Sequence, residues 1–192
     1  MSVEISPVRR ARLDLLTHKR GLLAAVGHDL CLGVDELAIE LDRGRVQAWF
    51  ELSSLRVRGA MVRGGLIAST PSQADRRTIL DTLRREILDG EHHPRAKLEG
   101  ELHVHGPSVE LVAELSLRGH AQSLVLPIAI GGGATLVLRT ELAPSRWGIA
   151  PYSALGGALK LEDRVSVELE LEVDPALLAA PMAATARWKA RP

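Results

Sequence analysis

The sequence predicts a mainly β protein, with about eight antiparallel strands and one inserted amphipathic helix. Apolar and polar residues alternate over most of the 192 residues, as they do in strands that bury one face. Short turn sequences such as Asp42-Arg43-Gly44 and Gly131-Gly132-Gly133 separate the alternating segments. Only one segment, 72–90, has helical spacing instead. Regular strands joined by tight turns are typical of a sandwich or an up-and-down barrel.

The alternation starts with a first strand near residues 11–15 and continues through 30–41. Within 30–41 the apolar positions change from even to odd numbers between Val34 and Leu37. A strand cannot exchange its faces without an extra residue, so this change predicts a bulge or break near Gly33–Glu36. A returning strand follows over 46–52.

The single helix is predicted between Ser72 and Gly90. Ser72 followed three residues later by Asp75 resembles a capping box, with Asp in place of the usual Glu. Four apolar residues then recur at helical spacing: Ile79, Leu80, Leu83 and Ile87. Gly90 is the predicted stop, and the charged residues, Arg76 and Arg84 among them, are predicted to face solvent.

Five further strands are predicted over 96–104, 109–117, 124–130, 136–142 and 159–173. We therefore expect one domain over residues 8–174, followed by a tail over 175–192 that is rich in Ala and Pro. A barrel of about eight strands is near the size that either fills itself with side chains or encloses one ligand.

Composition excludes several functions. Lys plus Arg equals Asp plus Glu, at 24 each, so the chain lacks the basic surplus expected of a nucleic-acid binder. Cys31 is the only cysteine and has no partner for an internal disulfide. No apolar run approaches the ~18 residues of a membrane span, and no export signal is evident, so we expect a cytoplasmic protein. His103 and His105 share a solvent face without a third ligand, so neither a metal nor a cofactor is predicted.

Four stretches together resemble the YceI-like, polyisoprenoid-binding family. They are DGEHHPRAKL at 89–98, LSLRGHAQSLVLPI at 115–128, LAPSRWGI at 142–149 and EDRVSVELEL at 162–171. Trp147 keeps the family's aromatic before Gly, whereas Ala143, Pro144 and Arg146 replace the charged residues expected before it. The resemblance implies a lipocalin-like antiparallel barrel with an elongated apolar cavity, in a family that binds isoprenoid or fatty-acyl chains. It also implies a homodimer.

In such a barrel, the inward residues are candidates for the ligand-binding lining. They are Leu30, Leu32, Ala48, Phe50, Leu98, Leu102, Leu111, Ala113, Leu115, Leu117, Leu126 and Trp147. His28 shares the parity of Leu30, Leu32 and Val34 and could offer a polar group inside the cavity, or it could simply end a strand. Arg118 and His120 lie at a predicted hairpin tip and are candidates for contact with a headgroup.

Three functions are compatible with these residues. The first is binding, without catalysis, of a long apolar ligand in the barrel. The second is a hydrolase- or isomerase-type enzyme that uses His28 as an acid or base, although the adjacent Asp29 would point to the opposite face of a strand. The third is an accessory protein whose barrel is filled by its own side chains.

Overall fold

The computed structural model describes residues 8–20, 29–105, 108–154, 159–175 and 185–189. Within them, thirteen strands form one antiparallel sheet. The strands are β1 Val8–Arg20, β2 Asp29–Val34, β3 Leu37–Asp42, β4 Arg45–Glu51, β5 Leu55–Val62, β6 Gly65–Ile67, β7 Arg95–His105, β8 Ser108–Leu117, β9 His120–Gly131, β10 Thr135–Leu142, β11 Ser153–Ala154, β12 Leu159–Val173 and β13 Thr185–Lys189. Helix α1 is Gln73–Thr82 and continues into a π-helical turn, Leu83–Ile87; short 3-10 turns occupy Leu52–Ser54 and Pro144–Trp147.

The sheet curls into a barrel-like shape because two long strands bend. β2 continues into β3 across two residues, and β4 continues into β5 across the 3-10 turn. β1 pairs with β2, while β3 pairs with β4. The pairing then runs from β4 through β7, β8, β9 and β10 to β12, which pairs with β1 again. The sheet therefore surrounds an interior.

The predicted count of about eight strands is wrong, although the predicted mainly β class with one helix is confirmed. The strand predicted over 30–41 divides at residues 35–36, where the sequence predicts a break. The strand predicted over 46–52 extends beyond its predicted end as β5, and β6, β11 and β13 are additional short strands. Segments of two to five residues are too short to show a period of alternation.

Ser54 joins the two bent strands where they turn. Its side chain is fully buried. Its Oγ accepts a hydrogen bond from the Glu36 N–H (2.9 Å) and donates one to the Glu51 carbonyl (2.7 Å). The Ser54 carbonyl also accepts from the Asp35 N–H at 3.4 Å. One serine thus pairs backbone groups that the bend removes from the regular ladder.

Helix α1 is capped as predicted but is held to the sheet by residues predicted to face solvent. The Ser72 Oγ accepts from the Asp75 N–H at 3.2 Å, as in a capping box. Arg84 Nη2 donates to the carbonyls of Ser53 (2.7 Å) and Leu55 (2.8 Å), and Arg76 donates to that of Val57. The two arginines therefore cover the part of the β5 edge that β6 does not pair with. They protect a strand edge that would otherwise be open.

The helical segment ends three residues before the predicted stop, Gly90. The π-helical turn ends at Ile87, and Asp89, with φ of 50°, adopts the left-handed conformation. Gly90 follows and donates its N–H to the Arg84 carbonyl at 2.7 Å. Asp tolerates this backbone conformation better than most residues with a side chain, so the reversal does not need the glycine.

Two buried clusters divide the interior. The first cluster joins β1, β2 and β5 beneath the helix, around Leu13, Leu32 and Leu55. The second cluster fills the barrel between β4, β7, β8, β9 and β10 and consists of Ala48, Leu98, Leu111, Ala113, Leu126 and Leu138. Aliphatic side chains supply all members of both clusters, as expected for a chain with 3% aromatic residues.

Two further features concern the C-terminal segment and the cysteine. β13 pairs with β3 as the outermost strand of the sheet, so part of the segment predicted as a tail belongs to the fold; the boundary at residue 174 stays a prediction. Cys31 alternates with the inward Leu30 and Leu32 and so lies on the outer face of β2, but it is buried there. Burial raises the pKa of its thiol, and the nearby Asp14 carboxylate adds to the rise.

We predict that Ser54→Ala lowers the free energy of unfolding by about 1–3 kcal/mol, because buried backbone groups at the bend lose their partner. Urea unfolding followed by circular dichroism measures the change. Ser53→Ala is the matched control, since Ser53 is exposed and contributes its backbone carbonyl. Equal stability of both variants would contradict the role assigned to Ser54.

We predict that Cys31 in the folded protein reacts very slowly with Ellman's reagent at pH 8. A buried thiol with a raised pKa supplies little accessible thiolate. The same protein in 6 M guanidinium chloride provides the control and is expected to react fully. Immediate stoichiometric labelling of the folded protein would show that Cys31 is accessible.

Candidate ligand-binding site

The barrel is filled in one half and open in the other. A cavity of about 250 Å³ lies inside the half nearer to α1 and the Pro144–Trp147 turn. This volume is close to the lower limit of ligand pockets, about 300–1,000 Å³. Residues of β1, β2, β4, β7, β8, β9, β10 and β12 line it, and almost all of them are aliphatic. The second buried cluster closes the other end of the barrel.

The structure brings seven of the predicted lining residues to the cavity wall: Leu32, Phe50, Leu98, Leu115, Leu117, Leu126 and Trp147. Four others lie within or against the second packed cluster: Ala48, Leu102, Leu111 and Ala113. Leu30 packs against the first cluster. His28 lies outside the described residues. These lining residues face inward as the alternation predicts, and Leu98 and Leu126 belong both to the second cluster and to the cavity wall.

Trp147 is the largest side chain of the wall, and hydrogen bonds fix both its ring and the turn that carries it. It is 1% exposed, and its Nε1–H donates to the Leu115 carbonyl at 2.8 Å. The 3-10 turn that carries it is fixed by Asp163, whose Oδ1 accepts from the Ser145 N–H at 2.9 Å. Gly148 ends the turn with φ of 70°, a conformation that favours glycine. The wall is therefore preformed at this position.

The two residues predicted at the hairpin tip do not line the cavity. Arg118 and Gly119 form the two-residue turn between β8 and β9, both with positive φ. Arg118 Nη1 donates to the Gly148 carbonyl at 3.1 Å. The His120 ring lies against Gly148, where an added Cβ would be 3.1 Å from Nε2. Both side chains therefore support the turn that carries Trp147.

A bulge interrupts the pairing of β12 with β1. β12 residues Val165 and Leu161 pair with β1 residues Thr17 and Lys19, so a four-residue advance along β12 matches a two-residue advance along β1. The two extra residues distort the strand over 162–164. Glu162 and Arg164 border the cavity at this distortion. The charged end of Arg164 is bound to Glu141, which lies on the outward face of β10.

The bulge residues form a compact ionic group. Arg164 Nη1 lies 3.0 Å from Glu141 Oε1, and Arg164 Nη2 lies 3.1 Å from Glu162 Oε2. Hydrogen bonds to Glu162 and then to Glu141 raise the pKa of the guanidinium. Arg164 and Glu162 are 43% and 35% exposed, so this ionic group is in contact with solvent.

Three hydroxyl groups complete the polar part of the lining, those of Thr17, Thr140 and Tyr152. Thr17 Oγ1 accepts from the Leu30 N–H at 3.1 Å. Thr140 makes no side-chain hydrogen bond to another described residue, which leaves its hydroxyl available to an occupant. The alternating sequences of β1 and β10 could have identified both threonines. Thr17 follows two inward leucines, and Thr140 lies between two inward leucines.

The residues that sequence reasoning missed fall into two groups. Leu83, Ile87 and Leu88 reach the cavity from the helical segment, and helical spacing alone cannot tell whether such a face meets a solid core or a cavity. Glu162 and Arg164 were missed because the bulge adds two residues. Two extra residues keep Leu161 and Val165 at the same parity, and the only sign of the distortion in this alternation is Asp163, a charged residue at the inward parity between them.

The described residues contain no group of three or more His, Cys, Asp or Glu side chains arranged to hold a metal ion. The rings of His103 and His105 stack with centroids 6.3 Å apart. Among the described helices, none is long and apolar enough to span a membrane.

Comparison with known proteins identifies relatives of this architecture. A model of the YceI-like domain matches residues 38–173. Burkholderia cenocepacia BcnA aligns with a TM-score of 0.58 at 12% identity, over 84% of this chain and 94% of BcnA. A polyisoprenoid-binding domain from Saccharophagus degradans, implicated in plant cell wall breakdown, aligns with a TM-score of 0.54 at 12% identity, over 87% of this chain and 96% of that domain. No curated protein matches the sequence. The family model covers well over half of the sequence, and the chain belongs to the YceI-like family.

Proposed function

We propose that this protein binds a long apolar ligand, an isoprenoid or fatty-acyl chain, inside the barrel-like sheet and does so without catalysis. The observation that carries the proposal is the cavity of about 250 Å³ with an almost wholly aliphatic wall. A second support is the similarity in fold to a polyisoprenoid-binding domain. The proposed lining consists of the seven predicted residues at the wall together with the inward residues of β1, β10 and β12.

The energetics of the wall favour an occupant. Apolar side chains around unfilled space lose packing contacts on one side. Each buried methylene of a ligand contributes about 0.8 kcal/mol before the costs of association. A buried chain of ten methylenes would therefore contribute about 8 kcal/mol toward those costs without any polar contact.

The volume limits what can be enclosed. A cavity near the lower limit of ligand pockets accommodates a short chain completely, or one end of a longer chain whose remainder leaves through the opening. Aliphatic walls recognise shape and apolar area and discriminate weakly between similar chains. We therefore expect several related chains to bind, with affinity that rises with the buried length.

The two other hypotheses have less support. Side chains fill one half of the barrel, whereas the other half keeps a cavity. The enzyme hypothesis depends on His28, which lies outside the described residues. The homodimer and the cytoplasmic location stay predictions; sedimentation equilibrium would test the first, and fractionation of the source cells the second.

Native mass spectrometry of the protein purified from its own source tests the proposal directly. We expect a mass increment that organic extraction removes and that matches an isoprenoid or fatty-acyl compound. Titration of the extracted protein with farnesol in a calorimeter should show binding with a negative heat-capacity change, the mark of apolar burial. An unliganded protein that also fails to bind farnesol or hexadecanol would overturn the proposal.

We predict that Leu124→Trp weakens farnesol binding by at least about tenfold, because Leu124 lines the cavity and the larger side chain occupies its volume. Val125→Trp is the matched control on the adjacent residue. Val125 is 60% exposed, so the same change there leaves the cavity unaltered. Thermal unfolding of both variants verifies that they fold. Unchanged farnesol affinity in a folded Leu124→Trp protein would show that the ligand lies elsewhere.

A further inference from the structure

We propose that the cavity end of the barrel docks on an anionic lipid surface, through the β5–β6 hairpin and a basic edge beside it. The basic edge consists of Lys19 and Arg20 at the end of β1, Arg63 at the tip of the hairpin and Lys160 near the start of β12. This inference goes beyond the proposed function, because it assigns an interaction surface and does not require an occupied cavity.

Strand pairing brings the four basic residues to the same end of the sheet. Arg20 on β1 pairs with Lys160 on β12. The Lys19 N–H donates to Asp29 Oδ1 at 2.8 Å, which fixes the end of β1 beside the start of β2. Asp29 in turn pairs with β5 two residues before Arg63. The neighbouring strands β12, β1, β2 and β5 therefore present these residues side by side.

The basic edge has few carboxylates to neutralise it. Apart from Lys19, its residues are exposed and make no ion pair with another described residue. Residues 55–74, which include the hairpin, contain three arginines and no Asp or Glu. Asp29 already accepts from a backbone N–H, and Glu162, further along β12, is paired with Arg164 at 3.1 Å. The positive charge of the edge is therefore available to anionic headgroups.

The β5–β6 hairpin adds apolar side chains next to this charge. Leu66 and Ile67 are 43% and 40% exposed, and every residue over 63–69 is exposed. Leu66 pairs with Met61 and Ile67 with Ala60, so the two side chains lie on opposite faces of the hairpin. β6 is the last strand on its side of the described sheet, where an apolar edge favours association with another surface. Apolar side chains beside basic ones are the combination that binds the interface of an anionic membrane.

The exposed part of the cavity wall lies beside the basic edge. Ala150, Pro151 and Tyr152 line the cavity and are exposed. The Tyr152 carbonyl accepts from the Leu161 N–H at 3.0 Å, and Leu161, itself a lining residue, directly follows Lys160. A lipid surface that contacts the basic edge is therefore adjacent to the cavity, which shortens the path of an apolar ligand between membrane and barrel.

A lipid surface fits these features better than a nucleic acid does. The chain as a whole has equal numbers of acidic and basic residues, 24 each, so it lacks the charge surplus that nucleic-acid binders use. Leu66 and Ile67 would also stay in water against a phosphate backbone, whereas they lose contact with water at a lipid interface.

Cosedimentation with lipid vesicles at 100 mM salt tests the inference. We expect at least about tenfold stronger partitioning onto phosphatidylcholine vesicles with about 30% phosphatidylglycerol than onto pure phosphatidylcholine, and weaker partitioning at 500 mM salt, where surface charge is screened. Equal partitioning onto both kinds of vesicle, or onto neither, would overturn the inference. Displacement by an equal charge concentration of duplex DNA would also overturn it, because that result identifies a general polyanion site. Farnesol titration without vesicles tests the proposed function separately, so either result can fail alone.

Arg63→Gln isolates the charge at the hairpin tip. A basic residue near an anionic surface contributes about fivefold in affinity, so we expect about fivefold weaker partitioning onto the anionic vesicles. Arg43→Gln is the matched control. Arg43 is also exposed, has φ of 49° against 51° for Arg63, and precedes a glycine in a hairpin turn, but it joins β3 to β4. Equal losses in both variants would show adsorption through overall charge and would overturn the inference.

The double variant Leu66→Ser, Ile67→Ser isolates the apolar contribution. We expect at least about tenfold weaker partitioning onto the anionic vesicles, because two apolar side chains no longer leave water there. Val112→Ser with Val125→Ser is the matched control, since these valines pair with each other on β8 and β9 and are 41% and 60% exposed. Thermal unfolding verifies that all variants fold. Partitioning that the Leu66 and Ile67 changes leave unaltered would show that the hairpin does not contact the lipid and would overturn the inference.

Discussion

The hydrogen bonds of Ser54 hold together the two bends on which the curled sheet depends. Where β2 becomes β3 and β4 becomes β5, the strands leave the regular ladder and their backbone groups need other partners. The buried Ser54 hydroxyl accepts from Glu36 and donates to Glu51. The two bent strands, β2–β3 and β4–β5, form one long hairpin. The bends allow this hairpin to pair with β1 along β2 and with β7 along β4. A straight hairpin would leave the sheet open and would leave no interior to line.

Division of the interior into a packed half and an open half follows from side-chain size. Aliphatic residues and small alanines interlock around Leu111 and Ala113, where neighbouring strands supply complementary shapes. Toward the helix, the wall is still mainly aliphatic, and its largest ring, that of Trp147, is fixed against the wall by its hydrogen bond to the Leu115 carbonyl. With only 3% aromatic residues, the chain has few side chains that could fill the remaining space. The cavity is thus a consequence of composition as well as of curvature.

Alternation predicted which face of each strand is buried, and the structure confirms that face for Leu98, Leu115 and Leu126. It could not predict how far the packed core extends, because this depends on the distance between opposite strands. It also assigned Arg84 to solvent, whereas the guanidinium reaches the carbonyls of Ser53 and Leu55. A long side chain can follow an apolar surface and place its charge on a strand edge, and periodicity does not encode that possibility.

The β12 bulge shows most clearly how the alternation of apolar and polar residues can fail to reveal a local distortion of a strand. Three consecutive residues serve two structures there: Glu162 and Arg164 form an ionic group with Glu141, and Asp163 accepts from Ser145 and so holds the turn that carries Trp147. The insertion is even, so the apolar residues on both sides of it keep one parity. The signal left in the sequence is Asp163, a charged residue at the inward parity between Leu161 and Val165. The ionic group and the wall of the cavity are therefore linked through one local distortion. A change in the length of this bulge would alter both together, whereas a change of charge at Glu162 or Arg164 would alter the ionic group alone.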